Sequence, residues 1–432
     1  MCKIAYKMMI CTLFACAFSQ LLQAQNDTID DKSRLTIGGY GEAVYNYNFF
    51  SDNPNRYSHA ADYKDAPGHG RVDLPHAVIM LGYNFGRGWS FGTEIEFEHG
   101  GTESAVEMEA EEAGEFEKEI ERGGEVALEQ FWLQKSFGSR LNIRAGHIVV
   151  PVGMTNSNHL PNQFFGVYRP EGENTILPCT WHETGISLWG LLGDWRYELQ
   201  LLPALNSRMM NRSGWIHDAS ASAYEFRVAN HLAGAARIDY RGVKNLRLSL
   251  SGYVGNSFNN DIRTDVYSES SRYAGVKGTV AVGAFDFDYD NGHVVVRGNA
   301  DYGYLSDSYM ITQQNLSQNH STASPYPHDK VGKNAVALGL EAGVDVLHFG
   351  RSTHRQRLFL FAHGEYYDSF IPADNVLDDL STSRTLLTAG VNYYPLPQIA
   401  IKAEGGIRLF DEAFNNEPWI AVGITWTGMF KR

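Results

Sequence analysis

The sequence is short of cysteine, of basic charge and of long apolar runs. Three of its four cysteines, Cys2, Cys11 and Cys16, crowd the start, so a chain processed behind them keeps Cys179 alone and can form no internal disulfide. Lys and Arg number 36 against 50 Asp and Glu, and the formal charge of −14 argues against nucleic acid as a partner and against general affinity for anionic surfaces. Beyond the N-terminus no run of about 18 to 20 apolar residues occurs, which excludes spanning helices and leaves strands for any membrane crossing. Catalytic signatures are lacking too. His182-Glu183 has no second histidine four residues after His182, and neither a Gly-x-Ser-x-Gly elbow nor a phosphate-cradling Gly-Lys-Ser/Thr loop is present. The expectation is a chain without cofactor, metal or catalytic centre.

What is present begins with an export signal over residues 1–24. Lys3 and Lys7 supply its positive charge, Met8 to Phe18 its apolar core and Ala24 the small residue at the cleavage position. Cys16 follows a bulky Phe14 and would cut the apolar core in half, which argues against lipidation. A short polar leader, 25–34, precedes the first patterned segment.

From Leu35 to Phe430 one pattern repeats: segments of about ten residues alternating apolar with polar or small side chains, each followed by a connection. In 245–256, Leu246, Leu248, Leu250 and Val254 alternate with Arg247, Ser249, Ser251 and Tyr253. About sixteen such segments can be counted, including 35–47, 89–99, 126–137, 141–151, 226–240, 246–256, 399–410 and 419–430. Short connections at 86–88, 138–140, 193–194, 290–292 and 396–398 alternate with long ones at 48–73, 100–125, 152–180, 206–225 and 305–333. Tyr and Trp gather near segment ends, as at Tyr83, Trp89, Trp195, Tyr240 and Trp426. These features predict an all-β protein: one transmembrane antiparallel β-barrel over 35–430, with short periplasmic turns, long external loops and interfacial aromatic girdles. A soluble β-sandwich of this length would need several domains and visible linkers, and none is seen.

The third long connection, 152–180, is expected to fold inward and narrow the lumen. Asn156, Asn158, His159, Asn162 and Gln163 offer neutral hydrogen bonds, Arg169, Glu171 and Glu173 offer charge, and Pro161, Pro170 and Pro178 stiffen it; the alternative is an ordinary external loop. On the polar faces, Glu42, Glu94, Glu96 and Glu98 form an acidic wall, Arg144, Arg196, Arg227, Arg237, Arg247 and Arg297 a basic one, and Lys402 and Arg408 lie near the closing seam. These charges line the pore, pair locally, as Arg237 with Asp239 or Lys402 with Glu404, or do both. Residues 103–125 hold ten glutamates and read as a solvated external loop, with cation capture or bridging to lipid head groups as the alternative. The run Asp286 to Gly292 imitates a calcium loop but carries Arg297 where a bidentate Glu belongs, and strand alternation explains it.

Several stretches together carry a resemblance: Ile37-Gly-Gly-Tyr-Gly-Glu42, Leu74-Pro-His-Ala77, Glu94-Ile-Glu-Phe-Glu-His-Gly100, Gly124 to Gln130, Arg144-Ala-Gly-His147 with Pro151-Val-Gly153, and Arg169-Pro-Glu-Gly172 with Thr180 to Gly185. Over 34–185 the chain resembles the porin-like outer-membrane proteins of Bacteroides-type bacteria grouped with phosphate-selective porins O and P. The resemblance implies a 16-stranded, trimeric, passive channel. It departs from that group where lysine-rich ladders would line the pore, since arginines interleaved with carboxylates stand there instead.

The expected function is diffusion of small hydrophilic or anionic solutes, phosphate among them, across the bacterial outer membrane. Its partners would be membrane lipid and lipopolysaccharide, and its assembly a homotrimer. A surface adhesin or structural barrel with a plugged pore and a barrel-embedded hydrolase are the rivals. A transverse field is expected at the constriction, between Glu42, Glu94, Glu96, Glu98, Glu171 and Glu173 on one side and Arg144, Arg237, Arg247 and Arg297 on the other.

Overall fold

A computed structural model describes residues 34–100, 103–110, 116–123, 126–222, 226–262, 271–317, 326–349, 356–374 and 376–431. The expected signal, and all of the leader but Arg34, lie outside them. Sixteen strands form the wall: β1 (Arg34–Asn48), β2 (His76–Gly86), β3 (Trp89–Glu98), β4 (Val126–Ser136), β5 (Asn142–Val149), β6 (His182–Leu192), β7 (Trp195–Pro203), β8 (Leu232–Val243), β9 (Leu246–Asn256), β10 (Thr279–Asp290), β11 (Val294–Leu305), β12 (Asn334–Asp345), β13 (Arg357–Ile371), β14 (Ser383–Leu396), β15 (Ile399–Leu409) and β16 (Glu417–Lys431). Each pairs antiparallel with its neighbours, and β1 closes the ring on β16, from Thr36 opposite Lys431 to Asn48 opposite Trp419. Closure leaves no free edge, the condition for strands to cross a bilayer. A short strand, His69–Asp73, extends the sheet beside the outer end of β1, and Glu103–Ala110 pairs with Phe116–Gly123. The described parts of the acidic connection are therefore paired strands.

Alternation sorts the side chains as the sequence demands. Ile79, Phe131, Ile186, Leu199, Leu250, Leu340, Leu360, Ile401 and Ile420 are among the apolar residues exposed on the outer face, the belt of a membrane-spanning barrel. At the short-turn rim Trp195 packs on Tyr240 with ring centroids 4.6 Å apart, and Tyr83 meets Phe85 edge to face.

One expectation needs correction. The eighth strand starts at Leu232, so Arg227 lies in the connection before it, ion-paired to Glu183 at 2.5 Å. The chain is drawn off the sheet there because Asn230 Nδ2 donates to the Asp261 carbonyl (2.8 Å) of the adjacent external loop.

The external half of the barrel also holds an apolar core. Trp181, Trp215, Ile176, Leu177, Leu205, Ile216 and Ile311 are fully buried in one cluster with inward residues of the wall. The Trp215 ring reaches the β11 backbone at Gly303, where a Cβ would lie 2.1 Å from it, and its Nε1 donates to the Gly332 carbonyl (3.2 Å). The long loops thus fold over the β6–β12 side of the mouth. Trp215→Ala should cost about 3 to 5 kcal/mol through the void it leaves, lowering the temperature at which the folded gel band converts to the unfolded one; an unchanged conversion temperature would mean that this core does not hold the loops.

Candidate functional site: the lumen and the loop that crosses it

The loop after β5 closes on itself before it crosses. Asn156, buried, donates from Nδ2 to the carbonyls of Val152 (2.9 Å) and Pro178 (3.1 Å), while its Oδ1 accepts from Trp181 N (2.6 Å), which clamps the two ends of the loop together. A short helix, α1 (Met154–Ser157), starts beyond Gly153, and Glu173 accepts from Thr155 N and Oγ1. A second short helix, α2 (Glu171–Ile176), carries Glu173 back to this point. The amide of Asn156 is thus bonded to the loop's own backbone.

From there the segment is bonded to inward side chains of β11–β16. Lys402, only 1% exposed, spreads its ammonium over the carbonyls of Pro161 (2.6 Å), Phe164 (3.0 Å) and Gly166 (2.7 Å), and does not pair with Glu404. Glu404 accepts from Val167 N, Asn392 donates to the Phe165 carbonyl, and Arg297 donates to the Gln163 carbonyl and to Glu341. Phe165 stacks on Phe361 and its ring fills the space at Gly343, where a Cβ would lie 2.4 Å from it. Glu365 accepts from the amides of Glu171 and Gly172. Glu171 is held by Arg408 at 2.6 Å and by Tyr367. Burial works to raise its carboxyl, yet the Arg408 guanidinium keeps it below the ordinary glutamate range. Glu173 is pushed well above that range by burial and by the neighbouring Asp301 and Asp286 carboxylates. Neither loop acid joins the acidic wall as expected. Glu171 is held instead on the β13–β15 flank by Arg408, Tyr367 and Arg384, and Glu173 by Thr155 of the loop itself.

The acidic wall does assemble. Glu42, Glu94 and Glu96 are buried and point inward, with His76 Nδ1 on Glu96 (2.5 Å) and Nε2 3.7 Å from Glu42, and Glu98 continues the row toward the external end of β3. Glu129, not anticipated, joins it. It follows outward Leu128 and faces the lumen, where Tyr40 donates to it at 3.4 Å; a register shift between β3 and β4, with Glu94 opposite Gln130 and Ile95 opposite Leu128, makes it an extra residue, so that the next outward side chain is Phe131. The bulge has a sequence signal: the outward apolar residues change phase from Val126 and Leu128 to Phe131 and Leu133. Two basic loop residues face this wall, His159, whose Nε2 is 3.7 Å from Glu94, and Arg169, which donates to Thr180 Oγ1.

The arginines differ in how far they are engaged. Arg237 is consumed by Asp239 (2.7 Å), Asp286 (2.9 Å) and the Gly153 carbonyl, which also accounts for the Asp286 run as strand alternation. Arg196 pairs with Glu198 and, at 3.5 Å, with Asp239. Arg247 reaches Asp286 at 3.4 Å and Asn158. Arg144 makes no carboxylate ion pair among the described residues; it bonds to Gln134 and lies 4.4 Å over the Trp132 ring. Arg144, Arg196, Arg237, Arg241 and Arg247, with Glu198, Asp239, Gln130 and His159, line a cavity of about 260 Å³ between the loop and the β4–β9 wall.

With this geometry in hand, solved structures can be compared. The chain matches an anion-selective porin from Comamonas acidovorans with a TM-score of 0.51 at 12% identity, over 92% of this chain and 100% of that one. The fold is that of the outer-membrane porins. The outer membrane channel DcaP of Acinetobacter baumannii gives a TM-score of 0.51 at 12% identity, over 94% and 100% of the two chains, and OmpF of Salmonella typhi gives 0.51 at 10% identity, over 91% and 97%. An uncharacterized protein of Aquifex aeolicus (strain VF5) is 26% identical over 411 residues, 91% of this chain and 80% of that protein. No protein-family model matches the chain. A closed barrel of this fold with an apolar outer belt is a bacterial outer-membrane protein.

Lys402 gives the site its most direct test. Lys402→Met removes the donor for three buried carbonyls, so the loop should loosen: the variant should keep its heat-modifiable gel band and show a larger, noisier single-channel conductance in planar bilayers. Conductance identical in size and noise would mean that other contacts position the loop.

Proposed function

We propose that the chain is a passive channel through which small hydrophilic solutes, anions among them, cross the outer membrane. The observation that carries this reading is the arginine-lined cavity beside the inward loop, because planar guanidinium groups in a recessed, partly water-excluded space favour phosphate and carboxylate. On this reading the loop sets the constriction, and the field there runs between the wall of Glu42, Glu94, Glu96, Glu98 and Glu129 and the group of Arg144, Arg196 and Arg247. Arg237 and Arg297 act on the path through the loop they hold. No step of chemistry and no cofactor enters the proposal. The resemblance to porins O and P makes phosphate the first solute to test. Membrane lipid and lipopolysaccharide would cover the apolar belt.

The test is the reversal potential in a salt gradient. Replacing Arg144 and Arg247 together by Ala should shift selectivity toward cations, and the shift should shrink as salt rises and screens the field over about 8 to 10 Å. An unchanged reversal potential would place these arginines off the conduction path. A second reading, a barrel closed by its own loops, is favoured by the apolar core under the external mouth; planar bilayers without conductance steps would support it.

Assembly as a homotrimer belongs to the same proposal. On the outward face of β5 and β6, in register with exposed Phe131, His147 hydrogen-bonds to Thr184 Oγ1 (2.9 Å) and to His182 (2.6 Å). Such a polar group suits a contact between protomers better than contact with lipid chains. Cross-linking in native membranes should give a trimer that His147→Leu strengthens or weakens; a species that stays monomeric at every cross-linker concentration would remove this part of the reading.

A further inference from the structure

One cluster in the lumen is left unexplained by conduction. Glu94 from β3, Glu129 from the β4 bulge and His159 from the loop each offer a ligand atom, and these atoms lie within 4.8 Å of one another. Both carboxylates are buried, Glu94 to 2% and Glu129 to 1% exposure. Glu94 Oε2 accepts from Gln130, but Glu94 Oε1 has no hydrogen-bond partner, and neither has His159 Nε2, although both atoms are shut off from bulk solvent. They face each other across 3.7 Å, beyond hydrogen-bond reach.

With His159 protonated the two atoms make a long ion pair; with it neutral they are two unpartnered atoms aimed at one point, which is costly unless something lies between them. Both are electron-pair donors when the imidazole is neutral, and donors bound to one ion at about 2.0 to 2.2 Å each stand roughly 3 to 4 Å apart. The local charge points the same way. The carboxylates of Glu42, Glu96 and Glu98 adjoin the pair from Glu94 and Glu129, and among the described residues His76 and the loop's Arg169 are the basic groups set against them besides His159. Buried carboxylates in excess of their counter-charges need protons or a cation. The bulge crowds this point, because Glu129 is the unpaired residue between Leu128, opposite Ile95, and Gln130, opposite Glu94, and Gln130 also reaches the Glu94 carboxylate.

We propose that Glu94, Glu129 and His159 form a divalent transition-metal site of the zinc class where the loop meets the acidic wall. Mixed carboxylate and imidazole donors favour zinc and its first-row neighbours over calcium and magnesium, which take larger all-oxygen shells. Three protein donors leave a position open to water or to a passing anion. A bound ion would tie the loop to β3 and β4 on the side opposite Lys402. The site goes beyond the channel reading and does not depend on it.

The experiment is calorimetric titration of zinc chloride into the full chain, stripped with chelator and held in detergent, each variant being checked for its heat-modifiable band. The wild-type protein should bind one zinc ion per chain, and His159→Ala and Glu129→Gln should each weaken binding by more than about tenfold. His99→Ala, which removes a surface histidine paired with Asp73, should change nothing. X-ray absorption at the zinc edge should show nitrogen and oxygen neighbours with one imidazole. Absence of binding to the wild-type protein would overturn the proposal and leave water as the occupant. Binding lost in His76→Ala but kept in His159→Ala would overturn it in favour of His76, Glu96 and Glu98. A barrel that fails to conduct would refute the channel reading while leaving this titration fully interpretable.

Discussion

The ammonium of Lys402 under three backbone carbonyls is the interaction on which the interior depends. A charge 1% exposed inside a barrel must have all its donors engaged. Pro161, Phe164 and Gly166 engage them, and in doing so fix where the loop crosses the lumen. Every neighbouring contact repeats the logic, with an inward polar side chain of β11–β16 satisfying a backbone group that has no sheet partner: Glu404 with Val167, Asn392 with Phe165, Glu365 with Glu171 and Gly172. The loop has no regular structure of its own between α1 and α2, and the wall supplies what a helix or strand would otherwise have supplied.

Asymmetry follows. With the loop attached to one side, the remaining space opens on the other, between the loop and the β4–β9 wall, and the charges there are the less fully engaged ones. Arg237 and Arg297 hold loop carbonyls and carboxylates together, whereas Arg144 rests on Trp132 and Gln134, and Arg247 has a single long ion pair. The same side chain type thus performs two tasks, set by what lies within reach. The external apolar core lies toward the mouth of that same space, filling its β6–β12 side with Trp215 and its neighbours.

The wall of the barrel was legible in the sequence because period-two alternation is local: 246–256 and its fifteen counterparts announce their two faces without reference to anything else. The inward acids of β3 and the basic faces of β8, β9 and β11 could be read in the same way. The partners could not. Nothing in the order of residues says that Glu171 meets Arg408 or that Lys402 meets Phe164, since these meetings depend on the path of a loop with no periodicity. Arg227 fits a strand pattern because Phe226 and Val228 continue the alternation, and only a contact with a distant loop, Asn230 to Asp261, delays the start of the strand to Leu232. Glu129 faces inward when alternation is counted from Val126 and Leu128 and outward when counted back from Phe131 and Leu133, and the bulge that reconciles the two leaves only this change of phase in the sequence.

The central claim is that the aperture lies on the β4–β9 side of the loop and is closed on the β11–β16 side. Single cysteines placed on either side, in a Cys179→Ala background and in native membranes, test it through their rate of modification by a small charged methanethiosulfonate reagent read by peptide mass. Ser157→Cys borders the cavity and should react rapidly, while Val167→Cys, at a position 1% exposed and bonded through its amide to Glu404, should stay unmodified. Rapid modification at 167 with protection at 157 would place the open path on the opposite side of the loop and contradict the account.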